Sequence, residues 1–253
     1  MTDRTPAVAY DELLAEASAL YPGVRIGRPG RARTYWATMT AVRAYRLALS
    51  IDLAGAEHVA PGPAILVANH SSTLDPLVVV MRTRWRVSAF TKVEWYEGRI
   101  APFFRLTGQI PLRRGDEAST EWALAMAHQA LADGGMVGIY PEGTRGPDPG
   151  TLYKLHQRVL VPLLQADPDV PVHVVTTTYD RSRRRTRATA RISPRVDLDA
   201  RTQSGDDLVA ALRDALVRTG DLRYVDEYAV AAKARRARER AGRTEAPEER
   251  GPG

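Results

Sequence analysis

The sequence has no cysteine, and that absence removes three chemistries at once. A disulfide scaffold, a thiolate-held metal and a thiol nucleophile are all excluded. The chain also lacks any apolar run of about 18 residues, so no transmembrane helix is expected. A mean hydropathy of −0.31, with 26% charged residues, argues against a polytopic membrane protein. Residues 1–20 carry acids and no apolar signal core, so export is not expected. Lysine is almost missing: Lys92, Lys154 and Lys233 are the only lysines among 36 basic residues. The arginine bias reads as genomic, because lysine serves a generic phosphate contact as well.

What is present is a 253-residue chain with a net charge of +6. That length suits one large α/β domain or two small ones, with room for a core. The charge is local. Arg181, Arg183, Arg184, Arg185, Arg187 and Arg191 fall in one stretch without an acid, and the remaining sequence sums to zero. The stretch reads as a solvated hairpin, a contact with anionic lipid headgroups, or a dock for an acidic carrier protein or the phosphates of coenzyme A. It has no interleaved aromatics, and no helix-turn-helix, zinc or RNA-recognition pattern accompanies it, so no nucleic-acid partner is expected. Neither a Walker loop nor a Gly-x-Gly-x-x-Gly is present, which argues against a nucleotide-binding enzyme.

Periodicity and punctuation predict helices over 11–20, 35–49, 75–81, 96–107, 119–132 and 206–217. Strands are expected over 64–68, 87–90, 109–112, 136–140, 170–178 and 186–192. The alternation implies an α/β fold: a single domain with a mixed, largely buried sheet flanked by helices, preceded by a helical segment. The expected division is an N-terminal helical segment over 1–55, a main domain over 56–222, and a charged helix with a disordered tail over 223–253. In the first segment, an apolar stripe of Tyr35, Met39, Val42 and Leu49 is interrupted by Arg46. That stripe packs on the domain or lies on a membrane surface.

Three motifs carry chemistry. Asn69-His70-Ser71-Ser72-Thr73-Leu74-Asp75-Pro76 follows a buried strand directly. A histidine at a strand-to-helix turn lies where α/β sheets present reactive groups. Asp75, at the start of the next helix, can fold back onto one imidazole nitrogen and leave the other as a base. Ser71 and Ser72 are suited to cap that helix, and backbone N–H groups at its start could stabilise an oxyanion. Spacing alone is weak evidence. His128 and Asp133 share it, but inside a helix they lie about 140° apart and cannot meet.

The second motif, Tyr140-Pro141-Glu142-Gly143-Thr144-Arg145, also follows a strand. Gly143, the Thr144 hydroxyl and the Arg145 guanidinium are suited to a phosphate, with Glu142 orienting the arginine or a substrate hydroxyl. The third, residues 108–114, ends in Arg113 and Arg114, a second candidate anion clamp.

In order and interval the three motifs resemble those of the glycerolipid acyltransferases, which acylate lysophosphatidic acid and related acceptors. The likeness covers roughly residues 60–178. Tyr140 stands where phenylalanine is usual, and Arg113 where an acid is common. Tyr153-Lys154 begins an aromatic-Lys-x-Gly element that lacks its glycine. Residues 168–175 loosely echo a valine-rich fourth block, in which His173 reads as a strand histidine.

The resemblance implies His70 as general base and Asp75 as its orienting partner. Arg114, Glu142, Gly143, Thr144 and Arg145 become substrate-binding residues, and Asn69, Arg113 and Lys154 further candidates. It implies acyl transfer from acyl-CoA or acyl-carrier protein to a lysophospholipid, foremost 1-acylglycerol-3-phosphate, giving phosphatidic acid. Another lysolipid or a specialised alcohol is the alternative acceptor. No metal and no cofactor beyond the thioester co-substrate is expected. The implied setting is cytoplasmic, peripheral to the anionic inner face of the cell membrane.

Overall fold

Side chains alternate along the buried run at 64–68, and this sets the layers. A computed structural model describes residues 6–29, 32–43, 49–182 and 184–245. In strand β2 (Ala64–Ala68) every residue is buried. Ile65 and Val67 join a large cluster with helices α1 (Pro6–Leu20), α5 (Glu117–Ala132), α6 (Gln157–Ala166) and α7 (Gly205–Gly220). Ala64, Leu66 and Ala68 point the other way, into a cluster with Val79 of α3 (Asp75–Arg82). Helices therefore cover both faces, which is why β2 reads as a continuous apolar run.

Seven strands form one mixed sheet. Its other members are β1 (Leu49–Ala54), β3 (Val87–Lys92), β4 (Ile110–Leu112), β5 (Met136–Ile139), β7 (Val172–Asp180) and β8 (Thr186–Ile192), in the order β1-β8-β7-β2-β5-β3-β4. All neighbours are parallel except β7 and β8. The β2 C-terminus, where His70 follows, thus points the same way as the ends of β3, β4, β5 and β7. A separate parallel pair, β6 (Thr151–Tyr153) with β9 (Arg223–Val225), leads into α8 (Ala229–Glu245).

Several expectations need correction. The helix expected over 35–49 is α2 (Ala32–Arg43), and Leu49 opens β1 instead. Arg46 lies outside the described residues. Tyr35 and Met39 pack on Val80 of α3, so protein rather than membrane covers that part of the stripe. Helix α1 packs on α5 through the Tyr21–Trp122 edge contact and the bond from Trp122 Nε1 to the Leu13 carbonyl, 2.7 Å. With β1 in the main sheet, the described parts of the segment 1–55 pack into the same body as the rest of the sheet and helices. The helix expected over 96–107 is a 3-10 turn at 93–96 followed by α4 (Ala101–Leu106). Strands β1, β6 and β9 and helix α6, which tolerates Pro162, extend the predicted set.

Candidate active site

The turn after β2 is fixed before its histidine is used. The side-chain amide of Asn69 pairs with the backbone of Thr177 on β7 in both directions. Thr177 N–H donates to Oδ1 at 2.7 Å, and Nδ2 donates to the Thr177 carbonyl at 3.1 Å. The Ser71 hydroxyl donates to the same carbonyl at 2.8 Å.

Asp75, at the first turn of α3, closes the turn from the other side. Its Oδ2 accepts from His70 Nδ1 at 2.9 Å and from the Ser71 and Ser72 N–H groups at 2.8 Å each. Its Oδ1 accepts the Tyr179 hydroxyl at 2.7 Å. A carboxylate partner makes Nδ1 the protonated nitrogen, and Nε2 is left with its lone pair. The imidazole side chain is 22% exposed and packs against the Tyr140 ring, 4.7 Å between centroids. One nitrogen is held and the other is open to a substrate proton.

These bonds correct two expectations. Ser71 and Ser72 make no side-chain cap to α3, whose N-cap is Leu74; only the Leu74 N–H reaches the Ser72 hydroxyl, at 3.2 Å. Their backbone N–H groups point at Asp75 and are not available to an oxyanion.

Glu142 likewise does not face a substrate. It is 1% exposed, and its two oxygens accept the N–H groups of His70 at 2.7 Å and Tyr153 at 2.9 Å. Burial raises its carboxyl from 4.5 to about 7, opposed by those two bonds. The motif's acid therefore braces the His70 turn rather than orienting Arg145. Gly143 adopts φ +70°, and a Cβ there would stand 2.9 Å from the His156 ring. Only glycine fits both the left-handed conformation and the close approach. This tight turn sets Thr144 and the exposed Arg145 beyond it.

Cations gather around that turn. Lys233 of α8 donates from Nζ to Thr144 Oγ1 at 3.0 Å. Burial, then the charges of Arg145, Lys92 and Arg114, hold its ammonium below the ordinary lysine value. The charges of Arg114 and Arg145 thus both act on the same ammonium. Arg113 is not among them: it bonds Asp116 at 3.3 Å and the Leu20 carbonyl at 3.2 Å, beside the Tyr21 ring. Lys154 pairs with Asp226 at 3.1 Å. His173 is a buried strand histidine bonded to the Ser193 carbonyl. Lys92, Lys233 and Tyr179 escaped the motif reading. For the two lysines the one sequence signal was the rarity of that residue; Tyr179 had none.

Among the described residues, no group of three or more His, Asp or Glu side chains could hold a metal ion. No helix among them is long and apolar enough to cross a membrane.

No curated protein matches the chain. The fold is similar to the crystal structure of the 1-acyl-sn-glycerophosphate (LPA) acyltransferase PlsC from Thermotoga maritima. That likeness has a TM-score of 0.57 and 18% identity, covering 84% of this chain and 87% of that one. The family model described as Acyltransferase matches residues 50–178, half of the chain, and spans all three motifs. The chain belongs to the acyltransferase family.

Proposed function

We propose that the enzyme moves a fatty acyl group from an acyl thioester to the hydroxyl of a lysophospholipid, foremost 1-acylglycerol-3-phosphate. The observation that carries this reading is the His70–Asp75 contact at 2.9 Å beside an arginine- and lysine-lined turn. His70 Nε2 takes the proton of the acceptor hydroxyl as its oxygen bonds to the thioester carbonyl carbon. The tetrahedral oxyanion collapses, the C–S bond breaks, and the imidazolium returns the proton to the departing thiolate. Asp75 stabilises the imidazolium between these steps. Arg145 and Arg114 hold the acceptor phosphate and so position the hydroxyl. The donor is acyl-CoA or an acyl-carrier protein.

The similarity to an LPA acyltransferase favours the phosphorylated acceptor. The hairpin from β7 to β8, with Arg181, Arg184 and Arg185, leaves the sheet at the end where His70 lies. That placement supports peripheral contact with an anionic membrane at its cytoplasmic face. The test is thiol release from acyl-CoA across a panel of lysolipid acceptors, with phosphatidic acid as the expected product. No thiol release with any acceptor sinks the reading.

A further inference from the structure

Helix α8 lies outside the region matched by the family, yet it is locked to the site. Tyr153 packs with Ala229 and Ala232 in a small buried cluster. The Tyr228 ring stacks on His156 at 4.3 Å and 8°. Arg236 pairs with Asp148, just past the Thr144–Arg145 turn. The Lys154 N–H donates to the Glu227 carbonyl at 3.1 Å. These contacts deliver Lys233 to Thr144.

The charge around Lys233 is unusual. Its neighbours on the helix are neutralised: Arg235 by Glu227 and Glu239, Arg236 by Asp148. Lys233 has a hydroxyl for a partner, and the side-chain charges felt at its ammonium are Arg145, Lys92 and Arg114, all positive. Like charges brought together cost free energy unless an anion joins them. Lysine is also scarce in this chain: of three, Lys154 is paired with Asp226, whereas Lys233 has the Thr144 hydroxyl. An ammonium is a compact charge that can swing from Oγ1 to a phosphate oxygen without the planar demands of a guanidinium.

We infer that Lys233 is an acceptor-binding residue whose ammonium contacts the phosphate monoester of the acceptor, which makes α8 a wall of the substrate site. The inference rests on the proposed reading of the acceptor as a phosphorylated lysolipid. In this arrangement Thr144 holds the ammonium ready, and the anion relieves the repulsion that Arg145, Lys92 and Arg114 exert on Lys233.

The test compares wild type with Lys233→Ala, Lys233→Gln and Lys233→Arg. Gln keeps a donor for Thr144 without the charge. Each protein is assayed on lysophosphatidate and on a monoacylglycerol of the same chain length, with acyl-CoA varied separately. Removal of the charge is expected to raise KM for lysophosphatidate about tenfold or more. KM for the monoacylglycerol and for acyl-CoA should stay within about twofold, and Arg should restore part of the loss. Unchanged acceptor KM in both Lys233→Ala and Lys233→Gln overturns the inference. So does an equal rise for both acceptors, which marks a structural role, or a rise confined to acyl-CoA, which assigns the lysine to a donor phosphate. A wild type that does not prefer lysophosphatidate sinks the acceptor reading itself, and the inference with it.

Discussion

The buried carboxylate of Glu142 accepts the backbone N–H of His70 at 2.7 Å, joining two motifs 72 positions apart. Its second oxygen takes the Tyr153 N–H, so one side chain ties the β2 turn, the β5 turn and strand β6 together. A residue that resembles a substrate ligand in the sequence is an internal brace.

That brace has a pH signature. Burial raises the Glu142 carboxyl from 4.5 to about 7 in the folded protein. Between those values the folded chain binds the proton that the unfolded chain has released. Its contribution to stability is therefore fully present below about pH 4.5 and declines as pH rises to about 7, by roughly 3 kcal/mol at most. Urea unfolding from pH 4.5 to 8 should show this slope in wild type and lose it in Glu142→Gln. An unchanged slope in the variant would remove Glu142 as its source.

His70 and Asp75 should fail differently. His70→Ala should lower transfer by about 10²–10⁴-fold with little change in the unfolding midpoint. Asp75→Asn places an amide where one oxygen now accepts three N–H donors. It should cost activity and also about 1–3 kcal/mol of stability for each donor left unpaired. Retained transfer in His70→Ala would end the general-base assignment.

Arg145→Ala should raise KM for lysophosphatidate by about 10- to 100-fold and leave a neutral monoacylglycerol near its wild-type value. Equal losses on both acceptors would mean that the guanidinium does not meet the phosphate.

Gly143→Ala tests the turn itself. Strain at φ +70° costs about 1–2 kcal/mol, and the added methyl meets the His156 ring at 2.9 Å. Lower stability should come with a higher acceptor KM, because Thr144 and Arg145 move with the backbone. Thermal melts and acceptor titrations together check it.

His128 and Asp133 show what spacing can and cannot reveal. They repeat the separation of His70 and Asp75, yet His128 bonds Asp167 at 2.8 Å on another element, while Asp133 ends α5. The site was legible where a turn leads straight into a helix, because neighbours in sequence are then neighbours in space. Tyr179 and Lys233 reach it through strand pairing and a distant helix, which no local pattern encodes. Strand β1 was hidden for a related reason. Asp52 breaks its apolar run, and that acid is the partner of Arg187 and Arg191 at 3.2 and 3.3 Å. Two of the six clustered arginines thus share one carboxylate on a strand that the sequence did not announce.

Strand β2 has a parallel neighbour on each side and helices over both faces. Its amides should exchange with deuterium only through global opening, later than those of the edge strands β1 and β4. The histidine that follows is thus rooted in the last part of the chain to let go. Heating should then extinguish transfer and structure in one step, and residual activity would count the folded molecules that survive.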